Sequence, residues 1–484
     1  MNRELKRVTI VALLMFLTLF VASTVVQYVQ ADALAADPRN ARTLYQSYSV
    51  ERGPILVRGE PVAFSEPSDD DYKFQRIYAD GPLYAPVTGF IPVNGEPTGL
   101  EASLNDVLSG RSESQFFDSL NRLISGQDPM GASVEVTIDP VAQQAAWDAL
   151  GDLTGAIIVT QPKSGRIVAM VTKPTYDPNT LAVHNGDEVE ETYQNLLEDP
   201  GDPLFNRATG GDMNPPGSVF KLVMTAAALE SGQYTPDSTF PNPAEFTLPG
   251  TSSIVRNSSG GSCGGGSEVT LATALRLSCN IPFAELALEL GDDAIRAQAE
   301  KFGFNSEFEI PNPTEPSTYP ADPNEPQTAL SGFGQGDVRA TPLQMAMVSA
   351  AIANGGIVMN PNLVEAITAP DFRPIQEFDA SQFGRAISES TARTMTEMMV
   401  NNVNDGAASN ARIDGVSVAG KTGTAENGED DPYTLWFTGF APADDPQYAI
   451  TVLVEDGGGL GQEGFGNLLA APLAKQVLEA VLNK

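Results

Sequence analysis

Pro215-Pro216-Gly217-Ser218-Val219-Phe220-Lys221 is the stretch on which the reading of this chain turns. Two prolines and a glycine do not fit inside a helix, so a helix is expected to open at about Ser218, where free backbone N–H groups and the positive end of the macrodipole lie. Lys221 follows one turn later on the same face, within reach of the serine oxygen. From Leu222 to Leu229 the sequence is apolar on almost every side, which marks a buried helix. A lysine at the mouth of such a helix is costly unless paired or neutral. Desolvation lowers its pKa and makes it a base for a serine nucleophile. The alternative, an ordinary serine N-cap beside a snorkelling lysine, is the better account of a Ser-x-x-Lys tetrad met alone, but this tetrad occurs once in the chain.

Composition narrows the chemistry. The 484 residues carry 28 Lys+Arg against 62 Asp+Glu, a net charge of −34, with a single histidine, His184. A surface this acidic repels phosphate backbones, so nucleic acid is excluded as a partner of a basic patch. One histidine rules out His-rich zinc sites and leaves a Ser-His-Asp triad no choice but His184, which is expected at the surface near Asp187, Glu188, Glu190 and Glu191. No metal and no cofactor is expected.

The N-terminus suggests a location. Val8 to Val26 is an uncharged run preceded by Arg3, Lys6 and Arg7, long enough to cross a bilayer with its positive flank on the cytoplasmic side. A cleaved signal peptide, ending at Ala31-Asp32-Ala33 or Ala33-Leu34-Ala35, is the rival, but the run exceeds the usual ~7 to 15 residues of a signal h-region. The expectation is a single-pass plasma-membrane protein with its catalytic domain extracytoplasmic. Residues 1–7 hold three basic and one acidic side chain, so the remainder carries about −36, read as a solvated outer surface.

Texture divides the rest into residues 1–28, the cytoplasmic tip and anchor; 29–150, a small mixed N-terminal domain broken by Gly and Pro; and 151–484, a catalytic domain. In the last, Gly155–Thr160 and Arg166–Thr172 read as a hairpin. Val219–Ser231, Leu271–Leu290, Thr341–Asn354 and Glu389–Asn402 read as helices. Val416–Ala425, Thr434–Phe440 and Tyr448–Glu455 read as strands before a terminal helix, Asn467–Leu482. An early hairpin and late strands imply one antiparallel sheet assembled from both ends and flanked by helices, an α/β (α+β) architecture. Asn257–Ser267, rich in Ser and Gly, is expected as a flexible loop.

Further motifs are sorted by order. Ser-x-Asn occurs as Ser103-Leu104-Asn105, Ser119-Leu120-Asn121 and Ser278-Cys279-Asn280, and Lys-Ser/Thr-Gly as Lys163-Ser164-Gly165 and Lys421-Thr422-Gly423. Only Ser278 and Lys421 follow Ser218. The ordered set Ser218-x-x-Lys221, Ser278-x-Asn280, Lys421-Thr422-Gly423-Thr424 resembles the penicillin-binding proteins and serine β-lactamases. With the anchor, Arg52-Gly53-Pro54-Ile55, Thr175-Tyr176-Asp177-Pro178-Asn179, Gly332-Phe333-Gly334-Gln335-Gly336 and Thr341-Pro342-Leu343-Gln344, the whole chain is similar to the monofunctional, class B penicillin-binding proteins, in their short actinobacterial form. It departs from the class at Val57-Arg58-Gly59-Glu60, where an Asp-Arg-Asn-Gly run is common.

The resemblance implies a transpeptidase-domain fold and a serine acyl-enzyme that cross-links D-Ala-D-Ala stem peptides and is acylated by β-lactams. Ser218 is then the nucleophile and Lys221 its base. Ser278 suits a proton relay to the leaving amine. Asn280 offers its amide to the substrate, and Lys421, Thr422 and Thr424 receive the terminal carboxylate, while Gly423 admits the substrate backbone. The oxyanion hole falls on the N–H groups of Ser218 and Thr424. A D,D-carboxypeptidase, a β-lactamase and a catalytically silent scaffold of wall synthesis are the alternatives. Class resemblance also implies a SEDS-family glycosyltransferase and other wall-synthesis membrane proteins as partners. Outside the cytoplasm Cys263 and Cys279 are expected to form a disulfide, with two inert thiols as the alternative.

Overall fold

The computed structural model describes residues 2–30, 48–70, 72–115, 122, 126, 130–211, 213–258, 260–308 and 310–483. Ser119-Leu120-Asn121 and both cleavage candidates lie outside them. Leu5–Val29 forms one exposed apolar helix long enough to cross a membrane.

Five antiparallel strands make the central sheet, in the order Ala419–Ala425, Thr434–Ala441, Tyr448–Val454, Gly155–Thr160, Ile167–Lys173. Its central strands read as unbroken apolar runs because both faces are covered. Ala156 and Ile158 enter one core, while Ile157 and Val159 enter the other. The second core is closed by Pro140–Leu150 and Ala470–Leu482, packed on each other. The first is closed by Lys221–Glu230, Pro342–Ala353 and Glu389–Asp405. Trp436 and Phe437 are fully buried in the sheet.

A second sheet orders Pro374–Glu377, Val364–Thr368, Ser133–Val136, Ile55–Val57, Glu60–Pro67 and Phe74–Tyr78. Arg58 and Gly59 turn its first hairpin with positive φ at both positions (53° and 79°), the geometry of a type I′ turn. Residue 150 is therefore not a break in the packing. Strands from 364–377 complete the N-terminal sheet, and helix Pro140–Leu150 joins the catalytic one. At this second sheet, whose strand Phe74–Tyr78 carries Arg76, Glu101 is fully buried and accepts from Arg52 Nε and, at 2.7 Å, from Arg76 Nε.

Three expectations need correction. The stretch Leu271–Leu290 is two helices, Leu271–Leu277 and Ile281–Leu290, because Ser278 takes a left-handed conformation (φ 61°) between them. The Ser/Gly-rich loop is tied down at several points, as described below. His184 is not an open surface group: its side chain is 10% exposed, its Nδ1 lies 2.5 Å from Asp70 Oδ2, and Tyr48 and Tyr72 pack against its ring.

Candidate active site

The Pro215–Lys221 stretch is fixed before its helix begins. Trp436 Nε1 donates to Pro215 O at 3.0 Å, and Gly217 N donates to Gly334 O at 2.9 Å. Three glycines make these approaches possible. A methyl at Gly334 (φ +73°) would stand 2.0 Å from Gly217 O, one at Gly217 2.8 Å from Thr424 O, and one at Gly423 3.0 Å from Pro216 O. The turn is thereby pressed against the edge strand Ala419–Ala425. It opens as a 3-10 turn, Gly217–Phe220, and becomes α-helical from Lys221, so Ser218 lies in the tight first turn rather than at an α-helical N-cap.

Ser218 lines a cavity of about 890 Å³, together with Ser278, Asn280, Thr422, Gly423 and Thr424. Lys221 and Lys421 lie under its floor with no exposed surface. Lys221 Nζ donates to Ser278 O (2.8 Å), Asn280 Oδ1 (2.9 Å) and Ser278 Oγ (3.4 Å). Lys421 Nζ donates to Ser278 Oγ (2.7 Å) and Thr422 O (2.8 Å). Burial holds Lys221 well below the usual lysine range, and the Lys421 charge pushes it further. Burial alone brings Lys421 down to about 7.

The structure thus brings the three motifs together around Ser278 Oγ. Two details differ from expectation. Among the described residues Ser218 Oγ has no hydrogen-bond partner, since Lys221 turns to the Ser278–Asn280 segment. The Asn280 amide is also engaged inside the protein: its oxygen accepts from Lys221 and its nitrogen donates to Arg256 O at 3.0 Å. Thr422 Oγ1 donates to Ala407 O (2.9 Å), and Thr424 Oγ1 accepts from Gly466 N (3.3 Å), so both hydroxyls are oriented by neighbouring loops.

The residues that sequence reasoning missed hold this arrangement in place. Asn257 Oδ1 accepts from Asn280 N (2.9 Å) and Ile281 N (3.1 Å), satisfying the start of the second helix, and its Nδ2 donates to Gly261 O (3.0 Å). Asn402 Nδ2 donates to Leu275 O and Arg276 O, satisfying the end of the first helix. A Cys263–Cys279 disulfide and the paired bonds of Asn242 with Cys263 fasten the Gly-rich loop over the motif. Neither asparagine had a local sequence signal: Asn257 lies in the Ser/Gly-rich stretch, 24 residues before Ile281, and Asn402 in the helix Glu389–Asp405. The decoy Lys163 sits at the hairpin turn and pairs with Asp445, remote from the cavity. Among the described residues no group of three or more His, Cys, Asp or Glu could hold a metal ion.

Residues 155–479 match the model of the penicillin binding protein transpeptidase domain, and residues 52–134 that of the penicillin binding protein A dimerisation domain. The chain is 40% identical over 493 residues, the full length of both chains, to the peptidoglycan D,D-transpeptidase PbpA of Mycolicibacterium smegmatis. It is 38% identical to the Mycobacterium tuberculosis PbpA, over 100% of this chain and 99% of that one. The ceftriaxone acyl-enzyme of M. tuberculosis penicillin-binding protein A superposes with a TM-score of 0.87 at 38% identity, covering 90% of this chain and 100% of that one.

Proposed function

The chain belongs to the penicillin-binding protein transpeptidases, and we propose that it is a peptidoglycan D,D-transpeptidase working through a Ser218 acyl-enzyme. One observation carries the reading: two buried lysines converge on Ser278 Oγ directly below the cavity that Ser218 lines.

Ser218 Oγ attacks the carbonyl between the two D-alanines of a stem peptide, and neutral Lys221 takes its proton. The negative oxygen that develops is held by the N–H groups of Ser218 and Thr424, which a substrate can reach because Ala419–Ala425 is an edge strand. Ser278 passes a proton to the departing D-alanine amine, steadied by the charge of Lys421. The same cation, with Thr422 and Thr424, attracts the terminal carboxylate. Asn280 acts mainly by positioning Lys221. An amine of a second stem peptide then displaces Ser218 from the acyl-enzyme, forming the cross-link; β-lactams enter the same acylation step and stop there.

Residues 1–28 serve as tip and anchor, 29–150 as a non-catalytic pedestal and 151–484 as the catalytic domain, although the two sheets interlock as described. The Leu5–Val29 helix with Arg3, Lys6 and Arg7 ahead of it supports a single pass through the plasma membrane with the remainder outside. The family resemblance supports a SEDS-family glycosyltransferase as partner.

The test has two readouts. Ser218→Ala should abolish covalent labelling by a fluorescent penicillin, and persistent labelling would refute the assignment. Wild-type enzyme given a stem-peptide donor and an amine acceptor should yield mainly cross-linked product; exclusive hydrolysis would make it a carboxypeptidase.

A further inference from the structure

Glu426 is the only acidic side chain lining the cavity among the described residues. Its basic counterpart there, Arg256, is committed to Glu245 at 2.7 Å. The Glu426 carboxylate, by contrast, is exposed and has neither an ion pair nor a hydrogen bond among the described residues. Its backbone is held nonetheless. In the amide orientation that satisfies both groups, Gln335 donates to Glu426 O (3.2 Å) and accepts from Glu426 N (2.8 Å). A free carboxylate on a clamped backbone keeps a negative charge in the wall of the site.

Its place, one residue past the end of the edge strand Ala419–Ala425, gives it a meaning. Thr422, Thr424 and Glu426 are successive alternate residues, all lining the cavity, and at ~3.4 Å per residue Glu426 lies about 14 Å beyond Thr422. On the transpeptidase reading, on which this inference rests, the donor's terminal carboxylate sits by Lys421 and Thr422 and its scissile carbonyl by Ser218 and Thr424. The rest of an extended donor, added along the strand edge, must leave toward Ala425 and Glu426. The backbone of the residue ahead of D-Ala-D-Ala arrives about 7 Å from the terminal one, and a long side chain spans the remaining distance.

We propose that Glu426 selects donor peptides whose residue preceding D-Ala-D-Ala bears a side-chain ammonium, as a diamino acid does. The cavity is thus polarised, a cation under the end that takes the carboxylate and an anion at the end that takes the amine. The neighbouring Glu429, Asp430 and Asp431 are exposed outside the cavity lining and do not supply this contact.

The test uses the full chain in detergent and two donors, Nα-acetyl-L-Lys-D-Ala-D-Ala and its Nε-acetylated form, with D-alanine release as readout. Wild type should prefer the ammonium donor by about fivefold in kcat/KM, the effect of a pair worth ~1 kcal/mol. Glu426→Gln should erase that preference while leaving the acetylated donor and fluorescent-penicillin labelling unchanged, and Glu426→Lys should invert it. Retention of the preference in Glu426→Gln, or equal slowing of both donors, overturns the role of Glu426. Release from neither donor by wild type is a different result, in which the transpeptidase reading and this inference fall together.

Discussion

Lys421 Nζ donates to Ser278 Oγ at 2.7 Å although 143 residues separate them in the chain. The serine hydroxyl also lies 3.4 Å from Lys221 Nζ, so one small group links two buried amines. Two ammonium ions this close and this dry are mutually unfavourable, and burial together with the Lys421 charge strips the proton from Lys221 first. The division of labour follows: Lys221 is the base and Lys421 the fixed charge.

That division sets a pH profile for acylation. Lys221 loses its proton as pH rises, so its neutral, basic form is already present well below the ordinary lysine pKa of 10.5. Lys421 titrates at about 7, and its charge is lost above that. The second-order rate of labelling by a fluorescent penicillin should therefore rise with pH, then decline above about pH 7. Stopped-flow or gel-based rates from pH 5 to 10 check this. A rate that climbs steadily to pH 10 would remove Lys421 as a required cation.

Gly334 tests the support of the nucleophile turn without touching the cavity-lining residues. Alanine there meets Gly217 O at 2.0 Å and must adopt φ +73°. The turn carrying Ser218 has to move, and Gly334→Ala should lower the labelling rate by at least about tenfold, since small misplacements in a reacting geometry cost that much or more. Stability should fall by about 1–3 kcal/mol from the strained backbone. Unchanged labelling in a folded variant would show that the Gly217–Gly334 contact does not position Ser218.

The fold was more legible in the sequence than the support of its site. Runs such as Gly155–Thr160 read as strands of one antiparallel sheet flanked by helices, and the ordered Ser218, Ser278 and Lys421 motifs marked residues that do converge. The helix break at Ser278 was hidden because Leu271–Leu290 keeps a helical period on both sides of it. The left-handed turn between is paid for by Asn257 and Asn402, which come from a distant loop and a distant helix. Such long-range caps leave no local pattern. Glu426 likewise looks like the start of a solvated acidic loop until the cavity is formed around it.

The Cys263–Cys279 bridge closes a separation of 16 residues. In the chain-entropy model a loop of ~15 residues is worth about 3 kcal/mol. Cys263→Ala should lower the unfolding free energy by about that amount, read from the urea midpoint. Thiol titration of the denatured, unreduced wild type should find no free thiol; two per chain would refute the bridge.

Glu101 sits between two buried guanidinium groups. Burial alone would raise its pKa, but Arg52 and Arg76 outweigh that and hold it below the ordinary carboxylate value of 4.5. A lowered folded pKa means that the unfolded chain binds the proton more readily. The carboxylate therefore contributes its full stabilisation above pH 4.5, and this is lost as pH falls through the lower folded value. Glu101→Gln leaves both guanidiniums buried without a counter-charge, which should cost about 3–5 kcal/mol at pH 7. Because wild type forfeits the same contribution in acid, the gap between the two urea midpoints should narrow from pH 7 toward pH 3. A gap that is small at pH 7, or constant with pH, would mean that Glu101 does not neutralise this cluster.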